Sequence, residues 1–319
     1  MRHGTRAAAL AFAALLLAGG STIVAAGEPQ QQERKTFLRN GDLVTASGKS
    51  DSLLRMRPRA KRVRTTAVDL GVRVKPKGIT HSKFCEKIAI ANSKNVVIYD
   101  VWSREIQVLE DERFGLIADV EYDMMCNLII ADMGKQSVGR WPRDGHLWIL
   151  SPDGGLGEIG LRGQNWVNPA FLDMDEWGTL YILDKEAGPQ MPRAGEWYFD
   201  AIYKAGAPNY QWAKAKYNRA GLTATAFMVH PDGRMFVGNE DDLLVIDNGV
   251  ASSVCAPGTF SRVNGIDINT DFEIFVLDGF DVYGETSLYR LDGRCELRMM
   301  QSGAQINGSQ GLAVGLPSR

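Results

Sequence analysis

Histidine and cysteine are scarce in this sequence, with four of each in 319 residues. Few histidines leave little room for histidine-built metal centres. A basic excess is also missing: 36 Lys and Arg stand against 38 Asp and Glu, a formal net charge of -2. A protein that binds nucleic acid by neutralising phosphates carries a large positive surplus, so nucleic acid is not an expected partner. No stretch approaches the roughly 20 apolar residues of a membrane span. No GxxxxGK sequence is present to cradle phosphates, and no GxSxG elbow to present a nucleophilic serine. What remains is 45% hydrophobic, 23% charged and rich in glycine, the composition of a folded chain with many turns.

Residues 1–26 read as an export signal. Arg2 and Arg6 supply a positive start, Ala7 to Ala18 is an uninterrupted apolar run, and Val24-Ala25-Ala26 offers small residues ahead of Gly27. As a helix that run rises only about 18 Å, against roughly 30 Å of bilayer hydrocarbon. A retained anchor is the alternative. The expected mature protein is residues 27–319, exported to the periplasm or the extracellular space, as one domain. Export favours disulfides among Cys85, Cys126, Cys255 and Cys295.

A repeat at roughly 40–50 residues sets the architecture. Five copies of a strand, a turn and a second strand ending in Asp or Asn are present: GITHSKFCEKIAIAN (78–92), DVEYDMMCNLIIAD (119–132), FLDMDEWGTLYILD (171–184), AFMVHPDGRMFVGN (226–239) and GIDINTDFEIFVLD (265–278). Each is followed by a third strand, such as VVIYDV (96–101) or DLLVIDNG (242–249), whose SPDG, DNG or LDG ending turns into a fourth. Short antiparallel strands at this period are β-propeller blades. The C-terminal SQGLAVGLPSR (309–319) reads as a first strand with no blade after it. NGDLVTASG (40–48) and SLLRMRP (52–58) read as later strands with no first strand before them. Joined, they complete a sixth blade, so the expected fold is an all-β, six-bladed propeller closed by strands from both termini. Five or seven blades are the alternatives. In this register Cys85–Cys126 and Cys255–Cys295 are the favoured bridges between neighbouring blades, buried free thiols being the other reading.

The long connections, at 133–145, 185–197, 213–224 and 279–286, carry Trp141, Pro189 and Trp197 and are expected on one face, around the channel mouth. The residues entering each first strand are the expected mouth lining: Lys77, Asp119 beside Ala118, Asn168 near Ala170, Thr225, Asn264 and Gln310. A second circle, Asn92, Asp132, Asp184, Asn239 and Asp278, ends the second strands. Its oxygens suit a calcium-like cation, or bond turn backbones as Asp and Asn do at strand ends. His81, His146 and His230 fall in a first strand, a third strand and a turn, and are not expected to converge on zinc. Arg55, Arg57, Arg59, Lys61, Arg62 and Arg64 make a basic stretch that suits an acidic partner, or guards a sheet edge against aggregation.

The segment VNGIDINTDFEIFVLD (263–278) resembles the strand pair of the senescence-marker/gluconolactonase superfamily, and the blades are similar to NHL-type and strictosidine-synthase-like propellers. That resemblance implies a channel-bound divalent cation, usually calcium, that polarises a substrate oxygen, with Asn264 among its ligands. Two expected acidic ligands are missing: Ser309-Gln310-Gly311 replaces an Asp-Gly pair, and Pro76-Lys77 stands where a glutamate belongs. Two functions follow. One is a non-catalytic propeller that binds a small molecule or a protein through its loop-rich face. The other is a metal-dependent lactonase or esterase using Asn264 with Asp119, Asp184 or Asp278 as metal ligands.

Overall fold

Strand formation follows from runs such as KIAIAN and TLYILD, in which β-branched and aromatic residues are bounded by turn formers. The computed structural model describes residues 38–39, 41–58, 63–82, 84–135, 144–160, 166–185, 199–206, 214–220, 222–279, 284–292 and 294–315. The leader segment 1–26 lies outside these, as do residues 136–143, 186–197 and 280–283 of the expected long connections, whereas the connection expected at 213–224 is mostly a strand, Lys214–Ala220.

The chain first lays down β1 (Leu43–Ser47), β2 (Ser52–Pro58) and β3 (Val63–Asp69). Blade 1 follows as β4 (Ile79–Ser82), β5 (Lys87–Asn92), β6 (Asn95–Asp100) and β7 (Ile106–Leu109). Blade 2 is β8 (Ile117–Tyr122), β9 (Leu128–Asp132), β10 (His146–Leu150) and β11 (Leu156–Glu158). Blade 3 is β12 (Pro169–Met174), β13 (Thr179–Asp184), β14 (Phe199–Gly206) and β15 (Lys214–Ala220). Blade 4 is β16 (Ala224–Val229), β17 (Met235–Asn239), β18 (Asp242–Asp247) and β19 (Val250–Cys255). Blade 5 is β20 (Val263–Ile268), β21 (Ile274–Gly279), β22 (Thr286–Leu291) and β23 (Leu297–Ser302). Finally β24 (Ser309–Val314) joins β1, giving a sixth four-stranded sheet of order β24-β1-β2-β3. The protein is a six-bladed β-propeller.

Closure rests on an antiparallel pairing of Leu43 with Val314, Val44 with Ala313, Ala46 with Gln310 and Ser47 with Ser309. A bulge between Val44 and Ala46 lets the Thr45 hydroxyl donate to the Gly311 carbonyl at 2.7 Å. The apolar core is divided among the seams between blades. Val44, Ala46 and Leu53 of the closing blade pack on Ile88, Ile90, Val97 and Tyr99 of blade 1. On its other side, Leu43, Leu54, Met56, Leu312 and Val314 pack on Phe275, Leu277 and Leu288 of blade 5. Four further clusters fill the remaining seams.

Both disulfides cross seams. Cys85 and Cys126 sit in the turns between first and second strands of blades 1 and 2, with Cα atoms 5.8 Å apart. Cys255 ends β19 and bonds Cys295, in the turn between β22 and β23, at 5.3 Å. Both separations lie within the usual reach of a disulfide.

The basic stretch departs from a simple edge strand. Arg55 and Arg57 lie on β2, the third strand of its sheet, while β3 is the outer edge and carries Arg64. Arg57 forms a two-pronged ion pair with buried Asp42, at 2.7 and 2.8 Å, so that charge braces the closing blade. Residues 59–62 lie outside the described residues.

Removing β24 strips Leu312 and Val314 from one seam together with a full ladder of hydrogen bonds. Two such side chains alone contribute about 3–6 kcal/mol, comparable with a typical total stability of about 5–15 kcal/mol. A chain ending at residue 308 is therefore expected to lose its cooperative thermal transition, measured by circular dichroism, while a chain lacking only residues 316–319 keeps it.

Candidate functional site

The innermost strand of each blade has a ladder partner on one side only. Its other edge turns backbone N–H groups toward the axis, where they need acceptors. Three blades supply these with an aspartate. Asp119 accepts from its neighbour Val120 N–H and from Leu172 N–H on the next blade, both at 2.9 Å. Asp173 accepts from Met174 N–H at 2.7 Å and from Val229 N–H of blade 4. Asp267 accepts from Ile268 N–H at 2.7 Å and from Val314 N–H of the closing blade at 2.6 Å. Each carboxyl thus stitches one inner strand to the next. Gly78 is required beside Asp119, because a Cβ there would lie 1.8 Å from Asp119 Oδ1.

Glu121, Asp173 and Asp267 stand at one level of the channel, opposite Ile129, Tyr181 and Phe275 of their second strands. Thr80 occupies the corresponding place in blade 1, opposite Ala89, and its hydroxyl donates to Glu121 Oε1 at 3.1 Å. Burial dominates the electrostatics here. It pushes the Asp119 carboxyl up to about 7 against the opposing pull of two backbone N–H groups. Asp173 rises to about 7, chiefly by burial and with a contribution from the Asp175 charge, and Asp267 to about 7 by burial and the Asp173 charge. Glu121 is raised well above the usual glutamate range by burial, then by Asp173 and Asp119. His81, whose ring nitrogens meet no hydrogen-bond partner of normal geometry among the described residues, is pushed down to about 4 by burial. Lys77 is lowered by burial and by the charges of Arg262 and Lys75. Every shift is toward the neutral form.

These groups line a channel cavity of about 580 Å³. Its wall runs from Lys77, Thr225 and Asn264, at the starts of first strands, to Phe84, Met124, Pro231 and Phe272, in the turns that follow them. Asp119, Glu121, Asp123, Asp173, Asp175, Glu176 and Asp267 outnumber the one lining lysine, Lys77, so the cavity is acidic.

Of the residues expected at the mouth, Lys77, Asp119, Thr225 and Asn264 line the cavity. Gln310 pairs with Ala46 ahead of the bulge, and its neighbour Gly311 faces the cavity instead. Asn168 is buried away from the cavity, with its N–H bonded to Asp184. The second circle serves the backbone. Asp184 accepts from Val167 and Asn168 N–H, and Asp278 from Ser261 and Arg262 N–H at 2.8 Å. Asp132 holds Gly115, Leu116 and Gly134 N–H and the Trp148 indole, and Asn92 and Asn239 receive Lys75 and Thr223 N–H. The set Asn264, Asp119, Asp184 and Asp278 is therefore not gathered around one point: two line the cavity and two cap loops. Asn264 spends its amide on the Gly279 carbonyl at 2.6 Å. Among the described residues no three His, Cys, Asp or Glu side chains are placed to hold a metal ion. A channel calcium does not fit the donors present. His81, His146 and His230 do not come together; of the three only His81 lines the cavity.

Glu121, Asp173 and Asp267 escaped the sequence reading. Their signal is positional: each precedes the Asp closing its second strand by the same interval, as Met228 precedes Asn239 in blade 4.

No protein-family model matches the chain, and no curated protein matches it. Solved structures do. A chain of a nidogen/laminin complex superposes with a TM-score of 0.65 at 10% identity, over 87% of this chain and 99% of that one. The calcium-binding protein regucalcin from Agrobacterium tumefaciens gives 0.54 at 15% identity, over 76% and 79%. A putative gluconolactonase gives 0.52 at 13%, over 71% and 77%. At these identities the likeness is one of fold.

The raised carboxyls fix the sign of the pH response. Their ordinary pKa in an unfolded chain is about 4, so between about 4 and 7 the folded protein keeps protons that the unfolded chain releases. Stability from these groups is full at the acid end and falls as pH rises toward 7. Asp111 and Asp232, pushed down to about 2, act in the opposite sense below about pH 4, and His81, pushed down to about 4, opposes the carboxyls between about 4 and 6.5, one group against four. The melting temperature is expected to drop from pH 5 to pH 8, and Glu121→Gln, which keeps an acceptor for Thr80, to make that drop shallower.

Proposed function

We propose that the protein is exported and works as a binding propeller, holding a small molecule or a side chain of a protein partner in its channel, entered from the loop-rich face, without catalysis. The acidic cavity of about 580 Å³ carries this reading. It is large enough for a ligand, walled by polar groups at fixed positions on rigid strands, and lined at its loop end by Lys77, Asp119, Thr225 and Asn264. Export is supported by the leader-like segment and by two disulfides that suit an oxidising compartment.

A calcium-dependent hydrolase is the second reading, favoured by the Asn-Gly-Ile segment at 264–266 and by fold neighbours described as calcium-binding and as a putative gluconolactonase. The donor geometry speaks against it, since Asp184 and Asp278 are committed to backbone N–H groups.

Thermal-shift measurements on the mature protein separate the two. Calcium is expected to leave the melting temperature unchanged, and simple lactones and aryl esters to survive incubation. A screen of small organic cations is expected to yield stabilising compounds, and Thr225→Trp, which narrows the loop end, to remove that stabilisation. A calcium shift abolished in Asn264→Ala, together with lactone hydrolysis, would overturn the binding reading. Secreted material is expected to begin at Gly27 by N-terminal sequencing.

A further inference from the structure

The end of the channel opposite the long loops is formed by the turns between first and second strands. These turns are built alike. The first residue caps the turn with its side chain: Asp123 receives Met125 and Asn127 N–H, Asp175 receives Trp177 and Thr179 N–H, and Asn269 receives Asp271 and Glu273 N–H. The fourth residue takes a left-handed conformation, filled by Gly178 and Gly233 in blades 3 and 4. Blade 5 puts Phe272 there, at φ 60°, a conformation disfavoured for a bulky side chain.

Polar capping of this kind needs no apolar residue, yet the turns carry large ones. Trp177 is 67% exposed, Phe272 61% and Phe84 56%, with Met124 and Met125 exposed beside them. The other exposed large hydrophobics among the described residues, Trp102, Ile106, Val108, Val250 and Met299, belong to fourth strands or the turns leading to them. Neighbouring turns also touch: Phe272 leans on His230 of blade 4, with ring centroids 5.7 Å apart, and Met124 lies over Gly178 of blade 3. Phe84, Met124 and Phe272 therefore form an apolar rim at an opening whose interior is acidic, with Trp177 exposed in the same set of turns.

We propose that this turn face docks a partner polypeptide through a lysine flanked by apolar side chains, the flanks resting on Phe84, Met124, Trp177 and Phe272 and the ammonium group descending toward Glu121 and Asp173. Charge complementarity selects the occupant. An anionic membrane surface would meet the acidic side chains of Asp175, Glu176 and Asp271 at this end, and a purely apolar segment would make no use of the carboxyls below them. Depth fits as well. Glu121 lies two strand residues inside Asp123, about 7 Å, which the four-carbon stem of a lysine spans. The inference rests on the reading of the protein as a binding propeller but uses the opposite end of the channel.

The test is fluorescence anisotropy with a labelled, end-blocked peptide, Leu-Phe-Lys-Phe-Leu, and its counterpart with norleucine in place of lysine. The lysine peptide is expected to bind about tenfold more tightly, the range of one charge-assisted hydrogen bond. Glu121→Gln should erase that preference. Trp177→Ser and Phe272→Gly should weaken both peptides, while Phe272→Gly, which relieves the left-handed φ, keeps or raises the melting temperature and so excludes misfolding as the cause. Equal affinity for the two peptides, no binding of either, indifference to Trp177→Ser and Phe272→Gly, or binding of phosphatidylcholine vesicles through these side chains would overturn the proposal. Thr225→Trp, at the loop end, is expected to leave peptide affinity intact, so failure of the loop-end reading is distinguished from failure of this one.

Discussion

Ring closure by the pairing of β24 with β1 is the interaction on which the architecture depends. Each blade buries its two faces only because another blade stands on either side, and a row of blades left open would end in two bare apolar sheet faces. Here the last gap is filled by a sheet whose strands come from opposite ends of the domain, with a hydrogen bond between Thr45 and Gly311 linking residues 266 positions apart. The seams on both sides of that sheet, built on Ile88 and Tyr99 in one direction and on Phe275 and Leu288 in the other, exist only once it is complete.

Closure creates a second constraint at the axis. Six inner strand edges face one another with no backbone partner, and three aspartates answer by bridging each edge to its neighbour. The arrangement serves two purposes at once. It satisfies N–H groups that would otherwise be orphaned, and it concentrates acidic side chains in a place where water cannot freely stabilise their charge. A structural need thereby produces a chemical one: a cavity whose carboxyls favour either a proton or a visiting cation. The channel's character follows from how its strands are held together.

The blades were legible in the sequence because each strand pair repeats a pattern that packing enforces, from KIAIAN to IFVLD, and because the two terminal fragments were each incomplete in a complementary way. The site was less so. Lys77, Thr225 and Asn264 could be placed by counting from the strand starts, but a bulge near the start of β24 moved the lining from Gln310 to Gly311. Asp184 and Asp278 looked like metal donors because residue type alone does not show which partner an oxygen meets; in the fold they meet N–H groups of the loops they close. Glu121, Asp173 and Asp267 alternate with apolar neighbours along their first strands and were not singled out. In a propeller's first strand the axis is where the polar half faces, and only the shared register shows it.

The direction in which β1 and β24 meet has a mechanical consequence. Leu43 lies opposite Val314, so the chain leaves both strands at the same end of the pair. Tension applied between the two termini would load these backbone bonds one after another, as a zipper opens from its tab, and not all together in shear. A ring held together by many seams is thus built with a line of easy rupture under pulling, located in the closing sheet.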